Sequence, residues 1–195
     1  MDFTEDIDSY LQRLKGALDL LDRKAIQAFL DVMVDALEND RDIYVFGNGG
    51  SAANASHFTV DIGKGASKGA AKRFRLHCLN DNMPTLTAYA NDFGYETVFV
   101  EPLRNFLRRE DLVIALSGSG NSKNVVLAVE YAKSVGATVV GITGYSGGAL
   151  RALSDISIHL PLDDMQLAED IQLVVTHVAM RAIGTYQGLE GCKGR

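Results

Sequence analysis

Val45-Phe46-Gly47-Asn48-Gly49-Gly50-Ser51-Ala52-Ala53-Asn54-Ala55-Ser56-His57 changes character twice along its length. An apolar run that opens at Ile43 closes at Phe46, glycines and an amide follow, and small helix formers begin at once. That order reads as a buried strand, a tight turn and a helix. Such a junction aims the first N–H groups of the helix, and the positive end of its dipole, at whatever anion lies above it. Ser51 falls where an N-cap hydroxyl is expected, so it can serve either the helix end or a phosphate oxygen. Taken alone, the turn is equally well a βα loop with no ligand.

A second stretch changes that balance. Asp111-Leu112-Val113-Ile114-Ala115-Leu116 is another apolar run, Ser117-Gly118-Ser119-Gly120-Asn121-Ser122 follows directly, and a helical pattern starts at Asn124-Val125-Val126. The chain carries the same device twice. Neither loop ends in the Gly-Lys-Ser/Thr of a nucleotide-binding P-loop. Neither has the Gly-x-Gly-x-x-Gly spacing of a dinucleotide fold. Hydroxyls and backbone amides without a lysine suit a sugar phosphate better than a nucleoside triphosphate.

Outward from these loops, strands and helices alternate. Strands are expected near 42–46, 74–79, 111–116, 138–143 and 155–160, with helices near 51–62, 84–90, 97–108, 122–135, 148–153 and 164–187. Short apolar runs separated by helical patterns predict an α/β fold, a five-stranded parallel sheet covered on both faces. Ligands in such sheets bind beyond the carboxyl ends of the strands, where both Ser/Gly loops fall. Ile7, Leu11, Leu14, Leu18 and Leu21, then Ile26, Phe29, Leu30, Met33 and Leu37, make two amphipathic helices before the first strand. They belong to no βαβ unit, so their apolar faces are expected to pack between subunits. The 63–73 segment, poor in bulk and period, is expected to be a mobile loop.

Composition narrows the class. A chain of 195 residues suits one domain. Its net charge of −6 argues against a nucleic-acid or anionic-membrane binder, and the patch of Lys68, Lys72, Arg73 and Arg75 reads as a solvated loop face. Cys78 and Cys192 suggest neither a disulfide framework nor a cysteine zinc site. The acidic N-terminus and the lack of a long apolar run make the cytoplasm the expected compartment. His77 and His159 lie in strand-like runs and read as structural.

His57 and Asp61 are four residues apart on the first loop's helix and share one face. An imidazole and a carboxylate so placed form half of a metal site, or an ordinary helical ion pair. In the last helix Glu169 and His177 stand about 80° apart around the axis and about 12 Å along it, within joint reach of one ion only if long side chains lean together.

Gly47-Asn48-Gly49-Gly50-Ser51 with His57, Asn91-Asp92-Phe93-Gly94, and Ser117 to Ser122 are similar to the motifs of the sugar isomerase (SIS) domain. Within that family they most resemble the phosphoheptose isomerase branch, which interconverts sedoheptulose 7-phosphate and D-glycero-D-manno-heptose 7-phosphate. The resemblance covers nearly the whole chain, with the motifs in the family's order. It implies a single SIS domain over 1–195: a flavodoxin-like three-layer sandwich at 41–195, and a helical segment at 1–40 packed in the core of a homotetramer. It implies a transition metal, zinc, on His57, Asp61, Glu169 and His177. Asp61 would be the general base and His177 the general acid of an aldose–ketose isomerisation through an enediolate. Asn48, Gly49, Gly50, Ser51, Ser117, Gly118, Ser119 and Ser122 would take the phosphate end, with Asn91, Asp92 and Glu169 also facing substrate. Asn91 and Asp92 equally fit a helix C-cap and turn. Asp61 stands where the family has Glu, and Glu169 where it has Gln. Those departures keep two other readings in view, an isomerase of another sugar phosphate and a non-catalytic binding protein of the replication-initiator-associating type.

Overall fold

Tyr44 and Phe46 lie on one face of β1 (Asp42–Gly47), Ile43 and Val45 on the other, and all four are buried. Side chains alternate across a strand, so a strand apolar at every position must be covered on both sides. β3 (Leu112–Ser117) repeats the pattern, with Leu112, Ile114 and Leu116 joining Ile43 and Val45, and Val113 and Ala115 joining Tyr44 and Phe46. Together with β2 (Arg75–Cys78), β4 (Thr138–Thr143) and β5 (Ile156–His159) they form a five-stranded sheet in the order β2-β1-β3-β4-β5. Every pairing is parallel. The structure, a computed structural model, describes residues 1–189, and Cys192 lies outside them.

Helices α1 (Thr4–Asp19), α2 (Arg23–Glu38), α3 (Gly50–Val60) and α8 (Met165–Tyr186) share the first face and its core of Phe29, Met33, Phe58, Ile62 and Val175. α5 (Val100–Phe106), α6 (Lys123–Val135) and α7 (Gly148–Leu153) share the second, around Phe99, Leu103, Val129 and Leu150. α4 (Met83–Phe93) buries none of its residues and, with Tyr44 and His77, walls a cleft of about 790 Å³ beside the sheet edge. The architecture is the expected three-layer α/β sandwich.

Two local expectations change. α2 does have a sheet beneath it: Phe29, Met33, Ala36 and Leu37 are buried, and the helix packs on β3, β5 and α8 of its own chain. Of these two helices, α1 keeps an open apolar face, with Phe3, Ile7, Leu11 and Leu18 exposed and Ala17 buried. It is fixed to α8 by polar contacts, Tyr10 Oη donating to Asp170 at 2.6 Å and Arg13 pairing with Asp164 at 2.7 Å. The 63–73 segment, in turn, starts as a wide π-helical turn, Asp61–Gly65, that continues α3 and is closed by the Ala66 N–H on the Asp61 carbonyl at 3.0 Å. Ala66 and Ser67 are buried, and the Ser67 hydroxyl donates to the Ile62 carbonyl. The small residues that make this stretch read as a loop are what let its backbone pack.

The chain leaves β1 outward to β2 and leaves β3 the opposite way to β4, so the strand order reverses between them. A crevice opens at such a switch point, beyond the carboxyl ends of the strands. Gly47 pairs with Leu116, which places the two Ser/Gly loops side by side at its mouth.

Candidate active site

The first loop turns at Gly49, which takes φ +56° and holds the N-cap position of α3, so Ser51 lies inside the helix, 3% exposed, rather than capping it. The second loop is shaped by its own serines. Ser117 Oγ accepts the Gly120 N–H at 3.1 Å and Ser119 Oγ accepts the Asn121 N–H at 3.2 Å. A hydroxyl engaged as an acceptor still has its proton to donate, the polarity an anion needs. Ser122 is the N-cap residue of α6, yet its side chain makes no capping bond. In α2, α4 and α8, by contrast, Asp22, Asn82 and Asp164 accept a first-turn N–H. Neither loop helix is capped by its N-cap side chain, so serine hydroxyls stand beside first-turn N–H groups open to an anion, apart from the Val125 N–H of α6, which Asn124 Oδ1 accepts.

One helical stretch further on, His57, Asp61 and His177 converge. His57 Nε2 lies 3.0 Å from His177 Nε2 and 3.3 Å from Asp61 Oδ2, and His177 Nε2 lies 3.5 Å from Asp61 Oδ2. In a tetrahedral N/O metal site with bonds of about 2.0–2.2 Å, the ligand atoms stand about 3.3–3.6 Å apart. The triangle has that size to within a few tenths of an ångström. Asp61 Oδ2 is buried without a hydrogen-bond partner, a costly state that a cation would relieve. The histidine side chains are 49% and 46% exposed, against 20% for Asp61, so one side of the triangle is open. Among the described residues this is the cluster able to hold a metal ion. The widened turn that begins at Asp61 lies directly under it, a feature frequent at functional sites.

Glu169, expected as the fourth ligand, is not brought to this cluster. Its carboxylate lies against Gly50, so close that a Cβ there would collide with it. The reason is the direction of the two helices. Glu169 meets Gly50, Gln172 receives the Asn54 amide at 3.1 Å, and His177 meets His57, so α3 and α8 run side by side in the same sense. The rise from Glu169 to His177, about 12 Å, is matched by the rise along α3 and not closed by leaning side chains. Asn54 reinforces the register by donating to the Glu169 carbonyl at 2.9 Å.

Asn91 and Asp92 are exposed at the end of α4, bonded to each other at 2.8 Å, and Asp92 lines the α4 cleft with Tyr44 and His77. The same segment reaches the crevice through a residue that was not singled out. Tyr95 Oη donates to Asn48 Oδ1 at 2.8 Å. Asn48 is also paired with Asn124, in the first turn of α6. Asn at a helix start is ordinary, so the sequence carried no signal for this pairing.

Comparison with known proteins identifies the family. The SIS domain family model matches residues 2–144. This chain belongs to the SIS domain family. The matched part of the SIS domain contains both Ser/Gly loops, His57 and Asp61, and ends before α8. A phosphoheptose isomerase of Helicobacter pylori strain P12 is 35% identical over 170 residues, covering 87% of this chain and 88% of the relative. One from Leptospira biflexa is 38% identical over 154 residues, covering 78% and 79%. The solved phosphoheptose isomerase of Neisseria gonorrhoeae superposes with a TM-score of 0.85 at 26% identity, covering 94% of this chain and all of that one.

Proposed function

We propose that the protein is an aldose–ketose isomerase of phosphorylated sugars, interconverting sedoheptulose 7-phosphate and D-glycero-D-manno-heptose 7-phosphate. The observation that carries this reading is the convergence of His57, Asp61 and His177 within 3.0–3.5 Å, next to two uncapped Ser/Gly loops. The relatives named above act in the same sense by their names, and the fold is theirs.

The phosphate sits over Ser117, Ser119 and Ser122 and the first turns of α3 and α6, which leaves the carbonyl end free to reach the triangle. Asp61 takes the proton from C1 of the ketose, and the C–H electron pair forms the C1=C2 double bond of an enediolate as the carbonyl pair moves to O2. His177, beside Asp61, returns a proton to C2. The hydroxyl proton of O1 ends on O2, and C1 becomes the aldehyde. A carboxylate and an imidazole are side chains that take and return a proton in such steps. His57, Asp61 and His177 would hold zinc, which would supply electrophilic polarisation of the substrate oxygen. Glu169 fits better as a substrate neighbour at the first loop than as a ligand. The exposed apolar face of α1 supports a homotetramer with these helices at its core.

Steady-state conversion of sedoheptulose 7-phosphate, with and without chelator, tests the reading. Turnover that His177→Ala abolishes supports it. Zinc binding without turnover of this sugar shifts the substrate to another sugar phosphate. The absence of both turnover and metal binding would contradict the enzyme and leave a phosphosugar-binding protein.

A further inference from the structure

Asn48 sits in the first Ser/Gly loop, and its side-chain amide is held by a chain of hydrogen bonds from two other segments. The Val125 N–H donates to Asn124 Oδ1 at 3.0 Å. Because a backbone N–H can only donate, this bond fixes which end of the Asn124 amide is oxygen. Asn124 Oδ1 then also receives Asn48 Nδ2 at 2.9 Å, while Asn124 Nδ2 donates to Asn48 Oδ1 at 2.9 Å. Tyr95 Oη occupies the second lone pair of Asn48 Oδ1 at 2.8 Å. Asn124 is 3% exposed, so this pairing is shielded from water. Lys123, the first residue of α6, reaches Glu96 at 3.4 Å and holds the Tyr95–Thr97 turn to the same helix start.

An asparagine amide has two acceptor sites and two donor hydrogens. In Asn48 both acceptor sites and one hydrogen are engaged within the protein, which leaves one N–H. We infer that Asn124 and Tyr95 are positioning residues that lock Asn48 as a pure hydrogen-bond donor to an oxygen of the phosphorylated sugar, and that the Asn48–Asn124 pair sets the separation of the two loops. This rests on the phosphosugar reading of the site. A donor with no free acceptor selects oxygens with lone pairs and gives no foothold to a ligand that offers only N–H or O–H groups. It also explains why three sequence-distant segments meet at one side chain.

The test is a double-mutant cycle through Asn48. Tyr95→Phe removes one hydroxyl from an exposed ring, and Asn124→Ala removes the amide pair. Each is expected to raise KM for sedoheptulose 7-phosphate by about 3–10-fold, the span of one net hydrogen bond, with a smaller change in kcat. In an Asn48→Ala background neither should raise KM further. Equal increases in both backgrounds would show that the two residues act independently of Asn48 and overturn the inference. Unchanged KM in Tyr95→Phe would do the same for Tyr95. Thermal midpoints separate folding loss from repositioning, and Tyr95→Phe keeps the test open if Asn124→Ala does not fold. A second readout needs no substrate: in the 15N–1H spectrum, one Asn48 Nδ2 hydrogen should exchange slowly with water and the other fast. Two equally fast hydrogens in the wild type would contradict the lock. If the wild type turns over no sugar phosphate, the isomerase reading fails, while this spectrum still decides whether Asn48 is locked.

Discussion

Replacing Asp61 by Asn keeps its shape and removes its charge. Asp61 Oδ2 is buried, has no hydrogen-bond partner and faces two imidazole nitrogens, so the substitution removes both the base and one arm of the triangle. Turnover should fall by about 100-fold or more, the usual share of a general base, and zinc affinity, read by calorimetry, should fall with it. Thermal stability of the metal-free protein should hold or rise, because Oδ2 makes no hydrogen bond that the substitution would break. A metal-free Asp61→Asn protein markedly less stable than wild type would assign Asp61 a structural role instead. Cys78 makes a second residue-scale case. Burial pushes its thiol up to about 11, so at pH 8 it is almost wholly protonated and a poor nucleophile. Peptide mapping after iodoacetamide treatment should find Cys78 unmodified in the native protein and modified after denaturation. His57, Asp61 and His177 were legible in the sequence, through an i, i+4 pairing and the family resemblance. Asn124 and Tyr95 were not, because their role depends on hydrogen-bond polarity across three segments.

At the scale of elements, the parallel course of α3 and α8 decides which side chains meet. Sequence spacing gave the distance between Glu169 and His177 along one helix, but not the direction in which a second helix passes it. Only the three-dimensional register assigns Glu169 to Gly50 and His177 to His57. The same limit applies to α2, whose apolar stripe is plain in the sequence while the sheet beneath it comes from strands far along the chain. One of the contacts that hold α1 on α8 is Tyr10, whose hydrogen bond to Asp170, helped by burial, raises its phenol from 10.0 to about 12. The folded pKa is the higher one, so the stability from this contact is intact below pH 10 and is lost as pH rises through 10 to 12. Tyr10→Phe should cost about 1 kcal/mol at pH 7, lowering the midpoint by roughly 2–4 °C for a domain of this size. Between pH 10 and 12 the wild type should lose stability more steeply than Tyr10→Phe. Parallel curves would show that the contact does not hold the helix.

Across the whole molecule, the sheet and the site at its switch point were readable, because buried parallel strands are continuous apolar runs and both ligand loops follow such runs directly. What covers the outer face of α1 is a question of assembly. Phe3, Ile7, Leu11 and Leu18 form an exposed apolar stripe, the kind of surface that marks an association site. Sedimentation should give a tetramer for the wild type and smaller species for Leu11→Glu; a monomeric wild type would contradict this. The central claim, however, is proton abstraction beside a carbonyl by a site built from His57, Asp61 and His177. It is tested most directly by incubating zinc-loaded protein with sedoheptulose 7-phosphate in deuterated water and following the sugar by NMR. The account predicts deuterium at the carbons beside and at the carbonyl in the wild type, and none with Asp61→Asn. Conversion without deuterium uptake, or uptake that survives Asp61→Asn, would contradict it.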